Sequence, residues 1–259
     1  MSSGEARVRS VLVTGAGRGI GRAIALHLAR SSDASLLLVS RTSTCQVVAE
    51  ECNELRAESA TAVAWDLADF AQTRALSVLE SMPGPLGLVH AASILGPVGP
   101  FVENDIGAWW RALELNLGAA VRLVHALLPR MLADAAGRIV LFAGGGAAYG
   151  YPRFSSYGTA KAALVRFAET LAMEIGDAGP LVSIIAPGAN ETDMLAEIRR
   201  AGGYVKTTVS IDEPCRLVWR LLNEDARGLH GRFVHVRDDW TCESAQALGQ
   251  DHWKLRRVE

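Results

Sequence analysis

Seven short apolar runs alternate with helical patterns from one end of the chain to the other, and this alternation limits the fold before any single residue is considered. The runs cover residues 10–14, 35–40, 61–65, 86–91, 138–143, 181–186 and 232–236. The second reads Ser-Leu-Leu-Leu-Val-Ser, with no polar residue at alternate positions. A strand covered on both faces of a parallel sheet has that composition. Strand and helix in strict alternation predict an α/β fold: a Rossmann-type, doubly wound parallel sheet of about seven strands with helices on both faces. Right-handed crossovers then bring the C-terminal ends of the strands, and any ligand, to one edge.

The 259 residues suffice for one large domain, and no linker divides them. Pro83-Gly84-Pro85 and Gly96-Pro97-Val98-Gly99-Pro100 read as turns inside it. Over residues 190–208 the periodic pattern breaks down around Ala201-Gly202-Gly203, which predicts a flap over the ligand edge; a plain surface loop has the same pattern. A net charge of −2 carries no electrostatic footprint for nucleic acid. The first ten residues lack an apolar stretch and no run of about 18 apolar residues is present, which predicts a cytoplasmic protein without a membrane span. Cys45, Cys52, Cys215 and Cys242 lack metal-ligand spacing and read as free thiols, with no metal expected.

Thr14-Gly15-Ala16-Gly17-Arg18-Gly19-Ile20-Gly21 follows the first strand and opens a helix. Glycines there let the backbone approach a pyrophosphate, and the helix N-terminus offers unpaired N–H groups and a positive dipole. The spacing is not the standard Gly-x-Gly-x-x-Gly, since Ile20 stands where the third glycine would be. An ordinary tight turn is the simpler reading of such a run, and its position after the first strand argues against that. The second strand ends in Ser40-Arg41, where an acidic residue would bind the ribose 2′-hydroxyl of NAD. A small residue followed by arginine leaves room and positive charge for a 2′-phosphate, and Arg18 points the same way, so NADP(H) is expected over NAD(H). Asp66-Leu67, after the third strand, can accept from the adenine amino group or cap a helix starting near Asp69.

Tyr157 and Lys161 are four residues apart, so on a helix they share a face. An ammonium beside a phenol favours the phenolate, which predicts a lowered tyrosine pKa and a proton donor usable near neutral pH. Tyr157 would then protonate the alkoxide formed when a carbonyl accepts a hydride.

Over essentially its whole length the chain resembles the short-chain dehydrogenase/reductase family, on Thr14 to Gly21, Asp66, Asn116, Tyr157, Lys161 and the run Pro187-Gly188-Ala189-Asn190-Glu191-Thr192. The resemblance implies that Asn116 bends its helix and holds a water in a proton relay to Lys161. It places Ala91, Ala92, Pro187, Gly188 and Thr192 on the cofactor, with Thr192 beside the nicotinamide carboxamide. It also implies a homodimer or homotetramer built on the long helices around residues 108–132 and 156–175. Trp109-Trp110 fits interface, core or substrate wall equally.

Three departures stand out. His90-Ala91-Ala92-Ser93 replaces the family's Asn-Asn-Ala-Gly, leaving His90 as a substitute donor or a core histidine. Val236-Arg237-Asp238-Asp239-Trp240 replaces a terminal Asp-Gly-Gly; with residues 254–258 it resembles a branch of the family associated with sugar and polysaccharide gene clusters. Most consequentially, the catalytic serine of the family falls at Gly144, flanked by Ala143, Gly145 and Gly146. Loss of one such donor costs ~3 kcal/mol, or 10²–10³ in rate. Successive glycine N–H groups at Gly144 and Gly145, or the hydroxyl of Tyr149, Ser155 or Ser156, are candidate substitutes. The expected activity is an NADP(H)-dependent interconversion of a ketone and a secondary alcohol on a small polar molecule such as a sugar, polyol or specialised metabolite. A cofactor-binding subunit or a non-redox enzyme on the same fold is the alternative.

Overall fold

In the computed structural model, described for residues 7–69, 73–134, 136–240, 249 and 251–255, seven parallel strands form one sheet in the order β3-β2-β1-β4-β5-β6-β7. The strands are β1 Ser10–Thr14, β2 Ser35–Ser40, β3 Ala60–Ala64, β4 Leu86–His90, β5 Arg138–Phe142, β6 Leu181–Ala186 and β7 Phe233–His235. The order reverses between β1 and β4, which opens the crevice where doubly wound sheets bind ligands. In register, Thr14 of β1 lies between Val39 of β2 and His90 of β4, so these chain ends reach the crevice together.

The period of two assigns side chains to the two sheet faces. Val11, Val13, Leu36, Leu38 and Val140 pack against helices α1 Gly19–Ser31, α2 Thr44–Leu55 and α9 Asp212–Asn223. Leu12, Leu37, Leu88, Ile139 and Leu141 pack against α3 Thr73–Ser81, α5 Ala119–Asp134 and α7 Ser155–Ile175. The remaining helices are α4 Ile106–Leu113, α6 Gly145–Ala148 and α8 Asp193–Arg200. A π-helical turn, Glu114–Gly118, joins α4 to α5 in one continuous rod. That rod, Ile106–Asp134, is long and apolar enough to cross a membrane by length and composition. Here Leu123, Leu127 and Met131 bury it in the core against the sheet.

One sequence expectation is corrected. Residues 190–208 are not patternless: α8 forms within them, capped by the Thr192 hydroxyl accepting from the Leu195 N–H at 3.4 Å. An isolated bridge between Ala189 and Thr208 closes the segment at its base. The helix expected near Asp69 corresponds to α3 Thr73–Ser81; residues 70–72, immediately before it, lie outside the described residues. Cys45, Cys52 and Cys215 are buried free thiols; Cys242 and residues 256–258 lie outside the described residues.

Candidate active site

The turn from β1 into α1 is built from glycines because its neighbours leave no room for side chains. Gly15 has φ +66°, and a Cβ there would lie 2.7 Å from the Ala92 nitrogen. A Cβ on Gly21 would lie 2.3 Å from the Gly15 oxygen. Gly19 differs: a Cβ would make only an ordinary contact with Thr192 Cγ2 at 3.5 Å, and it is the left-handed φ of +55° that favours glycine there. The N-cap of α1 is Arg18, whose side chain makes no capping bond, so no side chain occupies the first N–H groups of the helix. A glycine turn at an uncapped helix N-terminus suits an anionic pyrophosphate.

A cleft of about 430 Å³ runs from this turn along the C-terminal strand ends. Ser40 and Arg41 line one end of it with Thr42 and Thr44, and Trp65, Asp66 and Leu67 lie alongside. Arg41 is exposed and bonded to no described residue. Arg18 instead crosses the cleft mouth to Asp193 at 3.3 Å. Asp66 Oδ1 accepts from the Ala68 N–H at 3.1 Å, so it caps the local turn while still facing the cleft. Ala91, Ala92, Ile20, Pro187 and Thr192 complete the walls. Gly188 shapes the turn after β6 with φ +68° but does not line the cleft, since a Cβ there would lie 2.7 Å from Val209 Cγ2.

Tyr157 and Lys161 close the far end of the cleft from the first turns of α7. Lys161 is buried; its Nζ donates to the Phe142 carbonyl at 2.8 Å and lies 5.5 Å from the centroid of the Tyr157 ring. Burial pushes its pKa down to about 8. The phenol shifts opposite to expectation: burial, reinforced by Tyr151, pushes Tyr157 up to about 12. The ammonium spends its hydrogen bond on a backbone carbonyl, and desolvation of the phenolate prevails. The raised value keeps the proton on Tyr157 at neutral pH, which is the form an acid needs.

Asn116 stands in the π-helical turn, fully buried. Its Oδ1 accepts from the Ile94 N–H at 2.9 Å and the Ser93 hydroxyl at 3.0 Å, and its Nδ2 donates to the Ile94 carbonyl at 2.8 Å. The side chain therefore pins the strand-β4 loop that walls the cleft. It is not bonded to Lys161, and it does not line the cleft itself. His90 is a buried residue whose Nδ1 is bonded to Thr14 Oγ1 at 3.0 Å. Burial, then the charge of Lys161, pushes it down to about 3, so it is neutral.

At residue 144 the backbone is extended, φ 164° and ψ −179°, and a Cβ there would lie 3.6 Å from the Tyr157 hydroxyl oxygen. The position thus faces the phenol without offering a side chain. Gly145 is open, with nothing within 4 Å of a Cβ. Of the substitute hydroxyls considered from sequence, the two serines have partners elsewhere and Tyr149 faces solvent. Ser156 Oγ donates to the Leu95 carbonyl at 3.2 Å, Ser155 Oγ accepts from Trp109 Nε1 at 3.0 Å, and Tyr149 is 80% exposed. Two residues escaped sequence reasoning. Trp65, buried beneath the cleft, read as the end of a strand, and Tyr151, beside Tyr157, carried no signal in the sequence.

The chain is similar to known proteins over most of its length. A family model described as short chain dehydrogenase matches residues 9–202. The 3-oxoacyl-(acyl-carrier-protein) reductase FabG of Salmonella typhimurium is 30% identical over 237 residues, covering 87% of this chain and 94% of the relative. A short chain dehydrogenase of Pseudocercospora fijiensis is 27% identical over 196 residues; the match covers 74% of this chain and 62% of the relative's length. Among solved structures, a short chain dehydrogenase from Escherichia coli CFT073 in complex with NADPH superposes with a TM-score of 0.80 at 27% identity, over 90% of this chain and 98% of that one.

Proposed function

From the membership of this chain in the short chain dehydrogenase family, we propose that it is an NADP(H)-dependent oxidoreductase interconverting a ketone and a secondary alcohol on a small polar substrate. The carrying observation is the placement of Tyr157 and Lys161 at one end of the cleft whose other end is the uncapped glycine turn. The N–H groups of α1 hold the pyrophosphate, Arg41 takes the 2′-phosphate, and Asp66 and Leu67 border the adenine. Pro187 and Thr192 hold the nicotinamide end. The NADPH complex of the Escherichia coli structure supports this choice of cofactor. The nicotinamide, when bound, supplies the hydride in reduction and accepts it in oxidation.

The residues of the chain handle the proton. Tyr157 Oη gives its proton to the substrate oxygen as charge develops there, and takes it back in oxidation. Lys161, held by the Phe142 carbonyl, places a positive charge near the resulting phenolate. Asn116 positions the loop at Ser93 and Ile94 against the cleft. A homodimer or homotetramer is the expected assembly, supported by exposed apolar side chains on the long helices such as Trp110, Leu132 and Met173. Gly144 favours one alternative, a cofactor-binding subunit or a non-redox enzyme on the same fold.

The test is NADPH and NADH binding, followed by NADPH oxidation at 340 nm against keto-sugars and other ketones. Turnover of a panel member by the native chain, with Tyr157→Phe losing roughly 10²–10⁴-fold in rate while keeping its NADPH affinity, is the expected result. Tight binding without turnover across the panel supports the alternative, and unchanged turnover in Tyr157→Phe refutes the role of the phenol.

A further inference from the structure

The proposed reduction needs a second hydroxyl to orient the substrate oxygen, and Gly144 has none. We propose that the phenol of Tyr151 supplies it, as a substrate-contacting group that stands in for a side chain absent at residue 144. This inference rests on the reading of Tyr157 as the acid/base.

Tyr151 does not line the cofactor cleft; the backbone places its ring beside the end of that cleft where Tyr157 stands. From β5 the chain passes through the glycine run into α6 and returns to the start of α7. A Cβ on Gly146 would lie 3.4 Å from Tyr151 Cδ1, and one on Gly158 would lie 3.8 Å from Tyr151 Cβ. The tyrosine is therefore laid over the seam between the glycine run and the first turn of α7, next to the residue that follows Tyr157. Any bulk at residue 146 would push against the ring.

The ring is also held. Tyr151 stacks on Phe154 with centroids 4.6 Å apart and planes 18° from parallel, and Phe154 is 1% exposed. The Phe154 N–H donates to the Tyr151 carbonyl at 3.1 Å, which closes the turn beneath the stack. A hydroxyl on a ring held in this way is fixed before any substrate arrives, and preorganisation of that kind makes a donor effective.

Both phenols are available. No described residue is hydrogen bonded to the Tyr151 or the Tyr157 hydroxyl, and the two are near enough for charge on Tyr151 to raise Tyr157. Burial raises Tyr151 itself, so it stays protonated and able to donate. Three other hydroxyls nearby are committed: Ser93 donates to Asn116, Ser156 to Leu95, and Thr192 to the Asn190 carbonyl at 3.2 Å. In the step itself the hydride reaches the carbonyl carbon from the reduced nicotinamide and the proton reaches the oxygen from Tyr157. Tyr151 donates a hydrogen bond to that oxygen and keeps its proton.

The test uses Tyr151→Phe, which retains the ring and its stack and removes only the hydroxyl. With the ketone of a keto-sugar panel that reacts fastest, kcat/KM is expected to fall roughly 10²-fold while NADPH affinity is unchanged. Adding Gly144→Ser to Tyr151→Phe restores most of that loss. Full turnover in Tyr151→Phe, or no rescue by Gly144→Ser, overturns the proposal. A second readout does not require turnover: tyrosines labelled with ¹³C at Cζ are titrated by NMR, and the ionisation midpoint of Tyr157 falls in Tyr151→Phe. An unchanged midpoint overturns the adjacency of the two hydroxyls. A lowered midpoint in a chain that turns over no ketone supports the adjacency and counts against the reductase reading alone.

Discussion

Arg41 offers the sharpest test of cofactor choice, because its removal disturbs nothing else. It follows the last residue of β2, lines the cleft, is exposed, and is bonded to no described residue. Arg41→Ala therefore leaves the folded chain without a lost native contact, and any effect on binding reports the ligand. A hydrogen bond to a charged group is worth about 1.5–3 kcal/mol. At about 1.4 kcal/mol per tenfold, NADPH binding should weaken roughly 10- to 150-fold. The site is open to solvent, so the lower part of that range applies at physiological salt, where the Debye length is about 8 Å, and the loss grows as salt is removed. NADH lacks the 2′-phosphate, and its affinity should hold. Arg18 provides an internal contrast: it must leave Asp193 before reaching a phosphate, so Arg18→Ala should cost less than Arg41→Ala. Fluorescence titration of both nucleotides at two salt concentrations measures all of this. Equal losses for NADPH and NADH, or no loss for NADPH, would refute the assignment of Arg41 to the 2′-phosphate.

Two further outcomes follow from the buried polar groups. With Lys161 pushed down to about 8 by burial, its ammonium is present below that pH and lost above it, so kcat/KM for ketone reduction should be flat on the acid side and fall tenfold per unit beyond about pH 8. Tyr157, pushed up to about 12, keeps its proton throughout that range, and a profile that stays flat to pH 10 would sink the role of the ammonium. Asn116→Leu leaves the N–H and carbonyl of Ile94 without their partners in a buried loop, at about 1–3 kcal/mol each. Chemical denaturation should show a loss of roughly 2–6 kcal/mol together with weaker NADPH binding, and a loss below about 0.5 kcal/mol would show that the loop is held by other means.

The strands were legible because a doubly covered parallel sheet demands apolar residues on both faces. Their ends were less so: Trp65 extends the apolar run of the third strand, and the strand itself covers Ala60–Ala64. The backbone N–H of Trp65 still reaches the Ser40 carbonyl at 2.8 Å, so pattern and pairing diverge by one residue. Helix α8 was hidden because Leu195 is its only buried residue, too little for a periodic signal; its one cue was Thr192 three residues before Leu195. The cleft was readable at the glycine turn, at Ser40-Arg41 and at Tyr157 with Lys161, where residue type and spacing carry the chemistry. The direction of the Tyr157 shift was not, since burial and the nearby Tyr151 depend on tertiary packing rather than on the four-residue spacing. Asn116 was recognised by resemblance, while its bonds to Ser93 and Ile94 span more than twenty residues and leave no local trace.

The wide turn Glu114–Gly118 also bears on how this chain tolerates change in length. An α-helix advances 100° per residue, so a deletion within α5 would turn everything on one side of it away from its partners. A π turn is an α-helix that has absorbed one residue. Ala112 upstream and Leu123, Leu127 and Met131 downstream are all buried across this turn. Loss of a single residue there lets the rod revert to regular winding with both halves kept in phase. The rod therefore has one point at which evolution can shorten it by a codon without unseating the core, and the cost falls on the grip of Asn116 on its loop.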